Sequence, residues 1–291
     1  MSRQKIRFII NPISGKSNQT ELPSLIGRIL DADRFEYDIT LSEYAGHAKT
    51  LAQEAIEAGY DIVVAAGGDG TINEVGTQMI GTDTALAVIP CGSGNGFSRC
   101  LNIPLDTTKA LELINRKAVC LIDTVTVNEV PFISIGGTGY DAQVADDYAH
   151  DIRRGFNTYL RYIVKNYFKL GEKQYTIQLP DKSITTKAFF ISFANSNQMG
   201  YDFPISPRAS LWDGKVDLCI VRKPNPIELP IVGSFFLSSH IDKSPKVDIL
   251  QVPEVTIVRP EAAVVNIDGE SKMFDKDLRL KVNPLSLHVI V

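Results

Sequence analysis

With 291 residues, 44% hydrophobic and 22% charged, the chain is long enough for two domains, and its mean hydropathy of zero excludes a disordered or fibrous protein. Thirty Lys and Arg against 34 Asp and Glu leave a formal charge of −4, so no global positive field draws the molecule to nucleic acid and any basic patch is local. Cys91, Cys100, Cys120 and Cys219 form no CxxC pair and no zinc-spaced cluster with histidine, which fits reduced thiols in a cytoplasmic protein.

The apolar run at 8–10 is interrupted by Arg7 and ended by Asn11 and Pro12, too short for a secretion signal. Strands are expected at 6–10, 37–41, 61–66 and 85–89, the last two nearly all apolar, as strands covered on both faces should be. Helical spacing marks 47–58, 71–80 and 106–117. This rhythm implies βαβ units and a parallel, Rossmann-like sheet over 1–122. From 123 to 285 the texture changes to a mainly β domain, a sandwich or barrel. Its strands are expected at 124–128, 132–135, 174–179, 185–193, 216–221, 255–258, 263–267 and 278–282, with helical interruptions at 141–170 and 227–240. Whether the last strand, 286–291, returns to the first domain is left open. The apolar stretch 229–237 contains Pro230, Gly233 and Ser234 and is far too short to span a bilayer.

The sharpest local feature is Gly67-Gly68-Asp69-Gly70-Thr71, set between a buried strand and a helix. Three glycines let backbone approach a ligand closely, and the helix start that follows offers unpaired N–H groups to phosphate. A carboxylate repels phosphate unless a divalent cation lies between them, so Asp69 in this string implies Mg²⁺ and a nucleotide. The plainer alternative is that Thr71 and Glu74 form a capping box. A second glycine turn, Pro90-Cys91-Gly92-Ser93-Gly94-Asn95-Gly96, follows the next strand, and Asn11-Pro12-Ile13-Ser14-Gly15-Lys16 follows the first. The last is no Walker A loop, because the glycine needed at position 10 is Ile10. Gly137-Thr138-Gly139-Tyr140-Asp141-Ala142 matches a dinucleotide fingerprint only weakly and reads as a tight turn. None of His47, His150, His240 and His288 lies near a Ser or Cys in a nucleophile context. Asn266 to Glu270 and Ser210 to Asp217 are acidic turns that spacing alone would leave as solvated hairpins.

The whole series, with Gly46-His47-Ala48, Asp213-Gly214-Lys215-Val216-Asp217 and Asp268-Gly269-Glu270, resembles the bacterial diacylglycerol-kinase-like lipid kinases, related to sphingosine and ceramide kinases. The resemblance implies an ATP-dependent kinase with an α/β nucleotide-binding domain, a β-sandwich lipid domain and the active site between them. It carries ATP onto Asn11, Pro12, Ser14, Gly15, Lys16, Ser42 (where the family has Thr), Gly67, Gly68, Gly70, Thr71, Asn73, Glu74, Gly92, Ser93, Gly94 and Asn95. Asp69 becomes the acid that works with catalytic Mg²⁺, and Glu270 the general base toward the lipid hydroxyl. Asp213, Lys215 through its main-chain oxygen, and Asp217 match a structural Mg²⁺ site.

Two departures bear on the substrate. Asn95 is followed by Gly96 where the family has Asp, and the turn is closer to that of sphingosine kinases; the segment 199–203 lacks the family's glycine-rich run. A water-insoluble acceptor requires access to a bilayer, and Arg153, Arg154, Arg161, Lys165 and Lys169, interleaved with aromatics, suit the inner face of a membrane. The alternative is a surface helix that packs its aromatics inward. A soluble-acceptor kinase of the NAD-kinase type and a nucleotide-binding regulator without transfer activity remain as competing functions. The expected acceptor is a membrane lipid alcohol of the diacylglycerol or sphingoid type, which the sequence does not specify further, without nucleic acid as partner and with a homodimer left open.

Overall fold

The computed structural model describes residues 3–15, 19–116, 118–151, 153, 156–198 and 204–291. Lys16, Arg154 and the segment 199–203 lie outside the described residues. The chain divides into two compact units, the first running to Thr124 and taking up Pro284–Val291, the second holding most of the chain between them.

In the first unit β1 (Gln4–Ile10), α1 (Leu22–Ile29), β2 (Phe35–Leu41), α2 (His47–Glu57), β3 (Ile62–Gly67), α3 (Asp69–Met79), β4 (Ala85–Pro90), α4 (Gly96–Cys100) and α5 (Thr107–Arg116) alternate in order. The strands run parallel in the order β2-β1-β3-β4. Every residue of β3 and β4 is buried, the burial pattern of central parallel strands. Leu22, Ile26 and Leu30 recur every four residues along and just after α1 and bury that stripe with Ile6, Phe8 and Ile10. Burying each such aliphatic side chain stabilises the fold by roughly 1.5–3 kcal/mol.

The second unit begins within β5 (Val119–Val127) and continues through β6 (Val130–Phe132), β7 (Ile135–Gly139), α6 (Tyr140–Ala149), α7 (Phe156–Lys169), β8 (Lys173–Gln178), β9 (Ser183–Ala188), β10 (Phe190–Ala194), β11 (Val216–Val221), α8 (Leu229–Leu237), β12 (Val247–Val252), β13 (Glu254–Val258), β14 (Ala263–Ile267), β15 (Glu270–Phe274) and β16 (Asp277–Ile290). One sheet has the order β12-β11-β10-β7-β14-β15, with antiparallel pairings; the other places β16, β13, β8 and β9 side by side. Phe193, Leu218, Ile220, Val265 and Ile267 from the first meet Tyr175, Ile177, Ile257, Leu278 and Leu280 from the second, so the unit is a β-sandwich. On the outer face of the six-stranded sheet, Tyr167 of α7 and Val232 of α8 share a second core with Phe189, Cys219 and Val221.

Several elements differ from the sequence reading. The expected run 185–193 is two strands divided at Phe189. The helical stretch 141–170 is two helices, and 137–142 is not a turn but the join of β7 to α6. There Gly139 takes φ 106°, closed to a side chain by the Phe189 carbonyl and Phe190. The expected strands at 278–282 and 286–291 are one, β16, which bends at Leu285 with φ 46° and pairs Val289 with Leu86 of β4.

Candidate active site

Three turns at the carboxyl ends of β1, β3 and β4 converge in the first unit. Backbone bonds join them: the Asn11 amide donates to Ala66 O at 2.9 Å, the Cys91 amide to Gly67 O at 2.8 Å and the Ser42 amide to Ile10 O at 2.9 Å. Asn11 Nδ2 donates to Thr71 Oγ1 at 3.1 Å, while Asn11 Oδ1 receives the Ile13 amide at 3.2 Å and shapes its own turn. The glycines are where the turns touch. A Cβ at Gly92 would lie 2.7 Å from Gly68 Cα, and one at Gly15, which has φ 76°, would overlap the Cys91 carbonyl. Side chains at these two positions would push the turns apart.

Asp69 is the acid of this cradle. It opens α3, and its Oδ1 accepts the Phe97 amide at 3.3 Å, across the cradle at the start of α4. Burial raises the Asp69 carboxyl above its usual pKa, opposed by the amides of Phe97, Gly96 and Asn95. A carboxylate whose charge is disfavoured by desolvation gains from a cation, and one carboxylate with phosphate oxygens and water suits Mg²⁺. The residues present therefore fit that ion. Ser93 is exposed on the second turn, and Asn95, at φ 50°, donates Nδ2 to Gly92 O at 2.8 Å while its buried Oδ1 meets no hydrogen-bond partner among the described residues.

Glu74 Oε1 accepts the Gly46 amide at 2.9 Å and ties down the loop after Ser42. Thr71 and Glu74 do not form the alternative capping box: α3 starts after Gly68 with no side-chain cap, and both residues lie inside it. Ser42 and Asn73 are buried, and Pro12 is exposed. Helix α4, whose amides face Asp69, is absent from the sequence reading, because five residues carry no readable periodicity.

In the second unit Glu270 is the first residue of β15, paired with Ile267 across the two-residue turn Asp268–Gly269. Both turn residues have positive φ, 47° and 90°, the type I′ geometry that Asp-Gly favours. Glu270 is part exposed and lies 3.3 Å from Lys272 Nζ. The residue missed from sequence is Asp268. Its buried carboxylate accepts the amides of Ile133, Ser134 and Ile135 at 2.8, 2.9 and 2.8 Å, fixing the hairpin tip beside Glu270 to the entry of β7.

Asp213 and Asp217 flank another turn. Asp213 Oδ1 accepts the Lys215 amide at 3.1 Å; the buried Asp217 carboxylate takes Ser206 Oγ at 2.6 Å and Gln251 Nε2 at 2.9 Å. Among the described residues no group of three His, Cys, Asp or Glu side chains is placed to hold a metal. Arg161, Lys165 and Lys169 are exposed on α7, whereas Tyr167 is buried and donates its hydroxyl to Pro224 O at 2.7 Å. Arg153 is exposed and pairs with Asp151 at 2.9 Å. Among the described residues no helix is long and apolar enough to cross a membrane.

Comparison with known proteins agrees with this architecture. Residues 5–127 match the diacylglycerol kinase catalytic domain family, and residues 134–291 match the YegS C-terminal NAD kinase beta sandwich-like domain family. A diacylglycerol kinase of Staphylococcus aureus is 30% identical over 274 residues, covering 92% of this chain and 86% of its own. The fold is similar to that of a diacylglycerol kinase from Bacillus anthracis, with TM-score 0.77 at 19% identity over 100% of this chain and 97% of that one. It is similar more distantly to an NAD kinase from Archaeoglobus fulgidus in complex with ATP, with TM-score 0.53 at 11% identity over 99% and 94% of the two chains. The resemblance read from the motifs is thus borne out, and the chain belongs to the bacterial diacylglycerol-kinase-like lipid kinases, a family of phosphotransferases.

Proposed function

We propose that the protein transfers the γ-phosphoryl group of ATP to the hydroxyl of a membrane lipid alcohol, of the diacylglycerol or sphingoid type, with Mg²⁺ as the cation. The observation that carries this reading is the convergence of three glycine turns around Asp69, with Gly92 too close to Gly68 to carry a side chain. Backbone amides of such turns are donors for phosphate oxygens and leave room for a triphosphate. Phosphoryl transfer asks mainly for positioning and charge neutralisation, which these turns and one carboxylate supply. When bound, Mg²⁺ would sit on Asp69 and neutralise the charge gathering on the phosphates.

Glu270 takes the proton from the acceptor hydroxyl as its oxygen attacks the γ-phosphorus, and ADP leaves. Asn11, Ser14, Gly15, Ser42, Thr71, Asn73 and Ser93 line or brace the nucleotide, with Lys16 as the cation of the first turn. A second Mg²⁺ on Asp213, Lys215 and Asp217 requires Asp217 to exchange Ser206 or Gln251 for the metal. The exposed row Arg161, Lys165 and Lys169, with Arg153 and Arg154 before it, draws the protein to the anionic inner face of the membrane.

The test is incubation with γ-labelled ATP, Mg²⁺ and a total lipid extract, with NAD in a parallel reaction. Label in an extractable lipid is expected. Label in NAD alone would move the chain to a soluble acceptor, and no labelled product in either would leave a nucleotide-binding regulator.

A further inference from the structure

Helix α8 is strongly apolar and uncharged, yet much of it is exposed. Leu229–Leu237 contains no charged residue, yet Ile231 and Leu237 are 57% and 78% exposed, and Ile227 just before it is 85% exposed. Exposed apolar side chains grouped on one element mark a partner or a lipid surface. The nearest acid, Glu228, is neutralised by Lys246 at 2.9 Å.

The lead-in to α8 is fastened to the end of α7. Tyr167 Oη donates to Pro224 O at 2.7 Å, Lys223 Nζ to Leu170 O at 2.6 Å, and the Lys223 ammonium stacks on the Tyr167 and Phe189 rings at 4.8 and 5.3 Å. Along α7 itself two exposed rows repeat every four residues: Leu160, Val164 and Phe168, and beside them Arg161, Lys165 and Lys169. An apolar row flanked by cations, joined to an uncharged helix with bare aliphatic side chains, is the composition of an element that lies in a bilayer interface.

We infer that α8 is an uncharged wedge that enters the headgroup region of an anionic bilayer beside the cationic row of α7, so that the second unit docks through two helices. At nine residues, or about 14 Å, α8 is too short to span and long enough to lie in the plane. Charge selects this occupant over a second copy of the chain, because a two-fold contact through the same face would set the cationic row of α7 against itself. The inference rests on the lipid-acceptor reading above.

The experiment is vesicle binding with phosphatidylglycerol–phosphatidylcholine vesicles, compared with phosphatidylcholine alone. Ile231→Trp, in a Trp212→Phe background, is expected to shift its emission to the blue and to be quenched by brominated lipid in the anionic vesicles. Unshifted emission on vesicles that sediment the protein would overturn the wedge. The double change Ile231→Glu and Leu237→Glu, at exposed positions, is expected to weaken binding by on the order of tenfold or more. Unchanged binding, together with loss of a dimer in sedimentation velocity, would give the face to a second copy instead. Transfer to detergent-dispersed lipid separates the two ideas. Transfer without vesicle binding overturns only the docking, and vesicle binding with the emission shift but no transfer in detergent overturns only the kinase reading.

Discussion

The carboxylate of Asp268 accepts the backbone amide of Ser134 at 2.9 Å, and with it the amides of Ile133 and Ile135, although 134 positions separate Asp268 and Ser134 in sequence. One side chain thereby sets the height of the hairpin that presents Glu270. An amide in its place turns a donor toward a donor. Asp268→Asn is expected to lower stability by about 1.5–3 kcal/mol, speed hydrogen exchange at 133–135 and reduce transfer while leaving ATP affinity unchanged. Unaltered exchange at those three amides would contradict this role.

Gly68 and Gly92 face one another, but only one of them is closed to a side chain. A Cβ at Gly68 meets Gly92 Cα at 3.4 Å, whereas a Cβ at Gly92 meets Gly68 Cα at 2.7 Å and Asn95 Oδ1 at 2.9 Å. Isothermal titration with ATP should therefore show Gly92→Ala weakened on the order of tenfold or more and Gly68→Ala weakened clearly less. Equal affinities in the two variants would remove the close approach of the turns as a determinant of binding.

Asp69 joins two roles that substitution can separate. Asp69→Asn keeps an oxygen for the Phe97 amide, so its melting temperature should stay near wild type. Its transfer rate should fall on the order of a thousandfold, the scale of a lost metal contact worth several kcal/mol. Chelation of Mg²⁺ should stop the wild-type enzyme and change the residual rate of this variant little. Asp69→Ala, which also strands the amide, should melt lower than Asp69→Asn.

Asp141 at the start of α6 is buried, and burial pushes its carboxyl from 3.8 up to about 7, opposed by the amides of Ala142 and of Asp141 itself. Its folded pKa lies above the unfolded one, so between about pH 4 and pH 7 the unfolded chain releases the proton first. Stability then falls as pH rises through that window and levels off above it. Asp141→Asn should gain on wild type across the same window, by on the order of a few kcal/mol at pH 7, read from denaturant titrations at several pH values. A constant difference from pH 4 to pH 8 would show that Asp141 does not titrate as placed.

The first unit was readable because its central strands, β3 and β4, are continuous apolar runs and its helices repeat at helical spacing. The glycine turns were readable for the same reason, since each punctuates a strand end. What could not be read is either short or mediated at long range. Helix α4 has five residues, and β15, Glu-Ser-Lys-Met-Phe, is an edge strand with no alternating apolar face. The division of 185–193 at Phe189 falls inside the short apolar run 188–191, which periodicity cannot divide. Asp268 looked like an ordinary turn residue because its partners, at the entry of the neighbouring strand β7, lie more than 130 residues earlier in the chain. Arg259 is similar: its buried guanidinium donates to Thr138 Oγ1, Ala263 O, Phe274 O, Asp275 O and Lys276 O, a set that only the folded sheet assembles.

Glu270 carries the central claim, and its most direct test is the rate of labelled phosphate transfer by Glu270→Gln, measured beside the affinity of the same variant for ATP. Loss of the base should slow transfer by on the order of a hundredfold to ten-thousandfold with ATP affinity and melting temperature unchanged. Transfer at the wild-type rate would show that another group accepts the proton.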